Sequence, residues 1–178
     1  ILDWKGNVYM QTDDYAKAVE AKEAVLKLGE AKGWIAPETA MQTTNMLARL
    51  LYVEAAALKD AKDKPRQQEL INKSLAYLKR FLQGSKKPAA EDMMFYAQLL
   101  YAQATSDAGN IKMDMIREAR ETIELAMANV INPKEGFYQL LAALLLTENN
   151  FVKAAELLEL FVTKFPDKKD FWPQLMQC

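Results

Sequence analysis

The sequence predicts an all-α protein of about nine helices arranged as antiparallel hairpins, and three observations carry this. Apolar residues recur at three- and four-residue steps, as in Leu70, Ile71, Leu75, Leu78, Phe81 and Leu82, which share one helical face. Short turn signals interrupt that pattern again and again, and short connections set successive helices antiparallel. No stretch alternates with period two for long enough to make a strand.

The breaks define the elements in order. "QTDD" (11–14) ends the first helix and "GWIAPE" (33–38) the second. "KDKPR" (62–66), "QGSKKP" (83–88), "DAGN" (107–110) and "NPKE" (132–135) end the next four. "ENN" (148–150) closes the seventh, and "FPDKKD" (165–170) closes the eighth before a last helix begins. Asp13-Asp14 and Glu91-Asp92 stand at helix starts, where negative charge complements the dipole. The basic turns "SKK" (85–87) and "DKK" (167–169) lie near helix C-termini, where positive charge is favoured, and read as solvated loops.

Composition removes several chemistries. The 178 residues suit one compact domain or a short array, with 51% apolar and 26% charged residues. Lys plus Arg (23) nearly balances Asp plus Glu (24), so no global field draws in nucleic acid or an anionic membrane. There is no histidine, the commonest general base and zinc ligand, and the single cysteine is Cys178. Ser74, Ser85 and Ser106 sit in no nucleophile-elbow or phosphate-loop context. No catalytic residue, metal ligand or cofactor is therefore expected. The longest apolar run, "LLAALLL" (140–146), is far short of the ~20 residues that cross a bilayer, so direct membrane insertion is not expected. The chain opens on Ile1 rather than Met and reads as a segment of a longer protein from which a signal peptide could have been removed.

The hairpins repeat. In the last full one, Tyr138-x2-Leu141-Ala142-x2-Leu145 opens the first helix, Ala154-x3-Leu158 and Phe161 lie in the second, and Pro166 follows. Trp172 comes 34 residues after Tyr138, with Leu175 placed as Leu141 is. Small residues at Ala142 and Ala154 would let two helices approach, while the aromatic and leucine positions fill the space toward the neighbouring hairpin. Earlier units keep the order with departures: Gly6-x2-Tyr9 then Ala18; Thr44-x2-Leu47-Ala48-x2-Leu51 then Ser74-x3-Leu78; Tyr96-x2-Leu99-Leu100 then Ala119-x3-Ile123. The gap from Ala48 to Ser74 is 26 residues and from Leu100 to Ala119 is 19, against 12 from Ala142 to Ala154, so the middle hairpins should be longer.

This pattern resembles the tetratricopeptide repeat, whose period is about 34 residues. The resemblance implies a right-handed α-solenoid in a single repeat domain, with approximate units 1–34, 35–86, 87–133 and 134–167 and a truncated 168–178. The C-terminal part is similar to repeat proteins found alongside Gram-negative TonB systems. Pro133, Lys134, Phe137 and Tyr138 carry the likeness at the start. Phe165, Pro166, Lys168, Lys169, Asp170, Phe171, Trp172, Gln174 and Leu175 carry it at the junction, and Pro173 departs from it. That likeness implies a periplasmic or cell-envelope setting and a role as an accessory scaffold; a cytoplasmic setting stays open.

Such a repeat would line its concave face with the first helix of each unit. That places Asn7 in the first unit, Asn45, Arg49 and Tyr52 in the second, Met94 and Tyr101 in the third, and Gln139 and Leu146 in the fourth on the candidate partner-binding face. Tyr and Arg are the residue types that anchor interfaces. The same spacing brings no cation to the places where chaperone-binding relatives hold a C-terminal carboxylate. Trp172, Leu175 and Met176 would form an exposed apolar end face through which copies could associate. The expected activity is thus non-enzymatic: a scaffold binding a protein or peptide. A scaffold self-associating through its ends or convex side is the second reading. A carboxylate-dependent or metal-binding helical enzyme is the reading from another class, and it requires close pairs of buried acids.

Overall fold

The computed structural model describes residues 2–107 and 109–167, and among them there is helix, turn and loop but no strand. Eight α-helices follow in order: α1 Leu2–Gln11, α2 Tyr15–Lys32, α3 Pro37–Ala57, α4 Lys64–Gly84, α5 Ala90–Ala104, α6 Met113–Ala128, α7 Glu135–Thr147 and α8 Phe151–Lys164. The count is one fewer than the nine the breaks predict, because the last break falls at 165–170 and any helix after it lies outside the described residues. A short 3-10 turn, Ala61–Asp63, leads into α4 and was not foreseen. The chain divides into two compact units, Ile1–Lys87 and Pro88–Cys178. The first holds the α1–α2 and α3–α4 hairpins, with α2 packed on α3; the second holds α5–α6 and α7–α8, with α7 packed on both α5 and α6.

Local chemistry sets the helix ends. Pro37 sits in the first turn of α3 and Pro65 in that of α4, where a missing N–H costs nothing. The α1–α2 and α7–α8 turns are built alike. Asp13 and Asn149 take left-handed backbone angles (φ 56° and 57°), a conformation that Asp and Asn tolerate better than other non-glycine residues. The next residue in each, Asp14 or Asn150, sends its N–H back five residues, to Tyr9 or Leu145, at 3.0 and 2.9 Å. Its side chain then caps the following helix, accepting from the N–H of Lys17 or Lys153. Asp13 and Asn149 lie 136 residues apart, four periods of about 34.

Inside the hairpins the small residues meet. Ala48 and Ser74 are both fully buried, and the Ser74 hydroxyl donates to the Ala48 carbonyl at 2.7 Å across α3 and α4. These two helices run 21 residues each, against 13 and 14 for α7 and α8. Ala142, Ala154 and Ala119 are likewise buried. Leu26, Leu47, Leu51 and Leu70 fill the first unit's core, each contributing on the order of 2 kcal/mol by leaving water. In the second unit Tyr138 packs within its own hairpin, with ring centroids 6.0 Å from Phe161 and 5.8 Å from Phe165.

Polar ties cross between helices. In the first unit the Tyr77 hydroxyl of α4 donates to Glu23 of α2 at 3.1 Å, and Arg80 pairs with Glu30. In the second, Tyr96 donates to Glu118 at 2.6 Å, and Arg120 Nε to Glu148 at 2.8 Å. Burial, then the nearby Glu23 carboxylate, pushes the Tyr77 hydroxyl up to about 12. The same causes raise Tyr96, with Glu118 as its acceptor.

Two outcomes follow. Ser74→Leu forces α3 and α4 apart and should cost about 1–3 kcal/mol, whereas Ser74→Ala should cost about 1 kcal/mol, both read by urea denaturation. Unfolded Tyr77 ionises near pH 10 while the folded side chain holds its proton to about 12. Its contribution is therefore complete below about pH 10 and lost as pH climbs through about 12. Tyr77→Phe should flatten that part of the alkaline stability curve, measured against the parent in parallel pH titrations.

Candidate functional site

The predicted partner-binding residues resolve into local stripes. On α3, Asn45, Arg49 and Tyr52 are spaced by four and three residues and so share one side of the helix. Asn45 is half-buried, while Arg49 and Tyr52 are exposed, Tyr52 by 39%. Asn7 of α1 is exposed too, but its Oδ1 accepts a 2.7 Å hydrogen bond from Lys22 within the α1–α2 hairpin.

In the second unit Met94, Tyr101, Gln139 and Leu146 are all half-buried. The Met94 methyl stands 2.8 Å from where a Cβ on Gly136 would lie, so Met94 serves the contact between α5 and α7. Gln139 donates to Glu135 one turn back on its own helix. Trp172, Leu175 and Met176 lie outside the described residues.

Two features of the first unit escaped the sequence reading. The first is a cavity of about 510 Å³ between α1, α2 and α3, lined among the described residues by Val25, Leu28, Trp34, Ile35, Thr39 and Thr43, together with Asp3 and Gly29. Such a volume is in the usual range for bound side chains or small ligands. Trp34 is 76% exposed and Leu28 46%. The turn that displays Trp34 is tightly made. Gly33 takes a left-handed φ of 65°, and the Trp34 N–H donates to the Gly29 carbonyl at 2.8 Å. Ile35 folds back so closely that a Cβ on Gly29 would meet Ile35 Cβ and Cγ2 at 2.9 Å. Lys32 Nζ rests 5.1 Å from the Trp34 ring centroid. Thr39 and Thr43 leave α3 on a different side from Asn45, Arg49 and Tyr52, so the cavity and the predicted stripe are separate surfaces. The signal in the sequence was a tryptophan inside "GWIAPE", read only as a break.

The second feature is Lys22, 3% exposed in the middle of α2. Its ammonium donates to Asp3 Oδ1 at 2.6 Å and to Asn7 Oδ1 at 2.7 Å, both on α1. Among the described residues no group of three or more acids or cysteines is placed to hold a metal ion. No described helix is long and apolar enough to cross a membrane. No protein-family model and no curated protein matches the chain.

Gly29→Ala must displace Ile35 and should lower stability by about 1–3 kcal/mol. The melting temperature reads that loss, and a shift in tryptophan emission reports whether the Trp34 turn moves with it.

Proposed function

We propose that the chain is a non-enzymatic protein-interaction module of the tetratricopeptide-like kind, binding a peptide or a segment of a partner protein on the outward stripe of α3. The observation that carries this reading is the exposed Arg49–Tyr52 stripe of α3. A guanidinium and a phenol held on a rigid helix form a pair of anchors of the type that dominates binding energy at interfaces. The matching α1–α2 and α7–α8 turns support a repeated hairpin as the building unit, with two hairpins in each compact unit. The likeness of the C-terminal part to TonB-associated repeat proteins supports an accessory role in the cell envelope.

A second reading, self-association, is favoured by the outer side of α8, where Val152 is 71% exposed and Leu160 47%. Light scattering separates the two: a concentration-dependent rise in mass abolished by Val152→Lys with Leu160→Lys supports self-association.

The test of the leading reading is capture from a Gram-negative envelope extract with the intact chain and with Arg49→Ala plus Tyr52→Ala. A partner retained by the intact chain and lost, by roughly tenfold or more, with the double variant is the expected result. Equal retention by both, with helicity preserved, overturns the assigned stripes.

A further inference from the structure

The second unit carries a pocket of a different kind. A cavity of about 380 Å³ opens where the α6–α7 loop meets the end of α8, lined among the described residues by Asn132, Pro133, Lys134, Lys164 and Phe165. Both charged side chains in that described lining are lysines, and it holds no carboxylate. Lys164, in the last turn of α8, donates to the Tyr138 hydroxyl at 2.9 Å, and its Nζ lies 5.5 Å from the centroid of the same ring. A phenol is uncharged, so it fixes the ammonium without cancelling its charge. Among the described residues that bond takes one of the three N–H donors of Lys164. The anchor is rigid, since Tyr138 is 3% exposed and packs on Phe161 and Phe165. Lys134 does meet a carboxylate, Glu91 of α5, at 3.3 Å. The side chains of that pair are 77% and 63% exposed, so it is a weak surface contact that another anion can replace. Asn132 adds an amide with two donors, and the half-buried Pro133 and Phe165 supply an apolar side.

We propose that this pocket binds a small organic phosphate monoester, its phosphate held by Lys134 and Lys164 and its carbon body set against Pro133 and Phe165. The donor set selects the charge. Two ammoniums and an amide around one space suit a ligand with several acceptor oxygens and more than one negative charge. A phosphate monoester brings three such oxygens and a charge of about −1.5 to −2 at neutral pH, and lysine serves it as a point charge. A carboxylate brings one charge and two oxygens. The volume selects the body, because a bare phosphate would fill only a small part of 380 Å³ and would leave the apolar side uncovered. Tyr138 is a positioning residue here: it holds the Lys164 ammonium in place and acts on the ligand through it. A charge held in place before binding loses little freedom on binding, which favours affinity. This site goes beyond the interaction-module reading and rests neither on the Arg49–Tyr52 stripe nor on the outer side of α8.

The test titrates the full chain against phenyl phosphate and follows the ligand by NMR, with inorganic phosphate and benzoate as comparison probes. Phenyl phosphate should bind saturably and more tightly than either of the other two. Lys164→Met should weaken it by roughly tenfold, and Lys134→Met by roughly threefold. Tyr138→Phe keeps the ring and removes the hydroxyl. It should weaken binding by several fold and add nothing on top of Lys164→Met, because the hydroxyl acts through that ammonium. Lys153→Met, at an exposed position in the first turn of α8, should leave binding unchanged. Circular dichroism checks the fold of each variant. Lys134 and Lys164 are exposed, so their variants carry the test if Tyr138→Phe fails to fold. Absence of saturation, undiminished binding to Lys164→Met, an equal loss with Lys153→Met, or equal binding of benzoate or inorganic phosphate overturns the proposal. Its failure leaves the capture experiment at Arg49 and Tyr52 standing, and loss of that capture leaves this pocket standing.

Discussion

The hairpins depend on close approach of two helix backbones at a small buried residue. Where Ser74 meets Ala48, a hydroxyl bridges to a main-chain carbonyl at 2.7 Å, and no larger side chain could stand between α3 and α4. The leucines on either side then reach across the remaining gap, and the length of each arm sets how many do so. Interiors are packed as densely as organic crystals, so the spacing of the small residues along the chain fixes the register of one helix against the other. Everything displayed on the outside inherits that register. Arg49 and Tyr52 point outward because Ala48 and Leu51, their neighbours in sequence, are held inward.

The α1–α2 hairpin solves the same packing problem with different chemistry. In place of an apolar knob it inserts the stem of Lys22, and it satisfies the ammonium with two side chains from the opposing helix. Long basic side chains combine an apolar stem with a charged tip, which lets one residue both pack and bond. The result ties α1 to α2 by a polar link whose exposed end is also part of a cavity wall.

Much of the architecture was legible because it is encoded in local patterns. The three- and four-residue steps gave the helices, and the Asp, Asn, Gly and Pro clusters gave their ends. The gap from Ala48 to Ser74 named in advance two residues that touch, since a hairpin converts sequence separation directly into a pair of facing positions. The site was less legible. The turn that displays Trp34 depends on Ile35 folding over Gly29, so closely that a Cβ there would meet it at 2.9 Å, and no spacing rule contains that approach. The role of Met94 depends on the absence of a side chain at Gly136, on another helix. Lys22 was visible as a charge interrupting Ala18-x3-Lys22-x3-Leu26, but its partners follow only once α1 is laid against α2.

The two matched turns also bear on how this protein ages. Asn149 and Asn150 are adjacent asparagines, and asparagine side chains slowly lose ammonia in water. The plain product of that reaction is aspartate, and the α1–α2 turn already uses aspartate at both equivalent places, Asp13 and Asp14, with the same left-handed angle and the same cap. Hydrolysis to aspartate at either position would thus leave a turn the fold already accepts. The isomeric product, which routes the main chain through the side-chain carbon and lengthens it by one methylene, has no such precedent in the molecule. It would break the five-residue return bond to Leu145 and loosen the entry to α8.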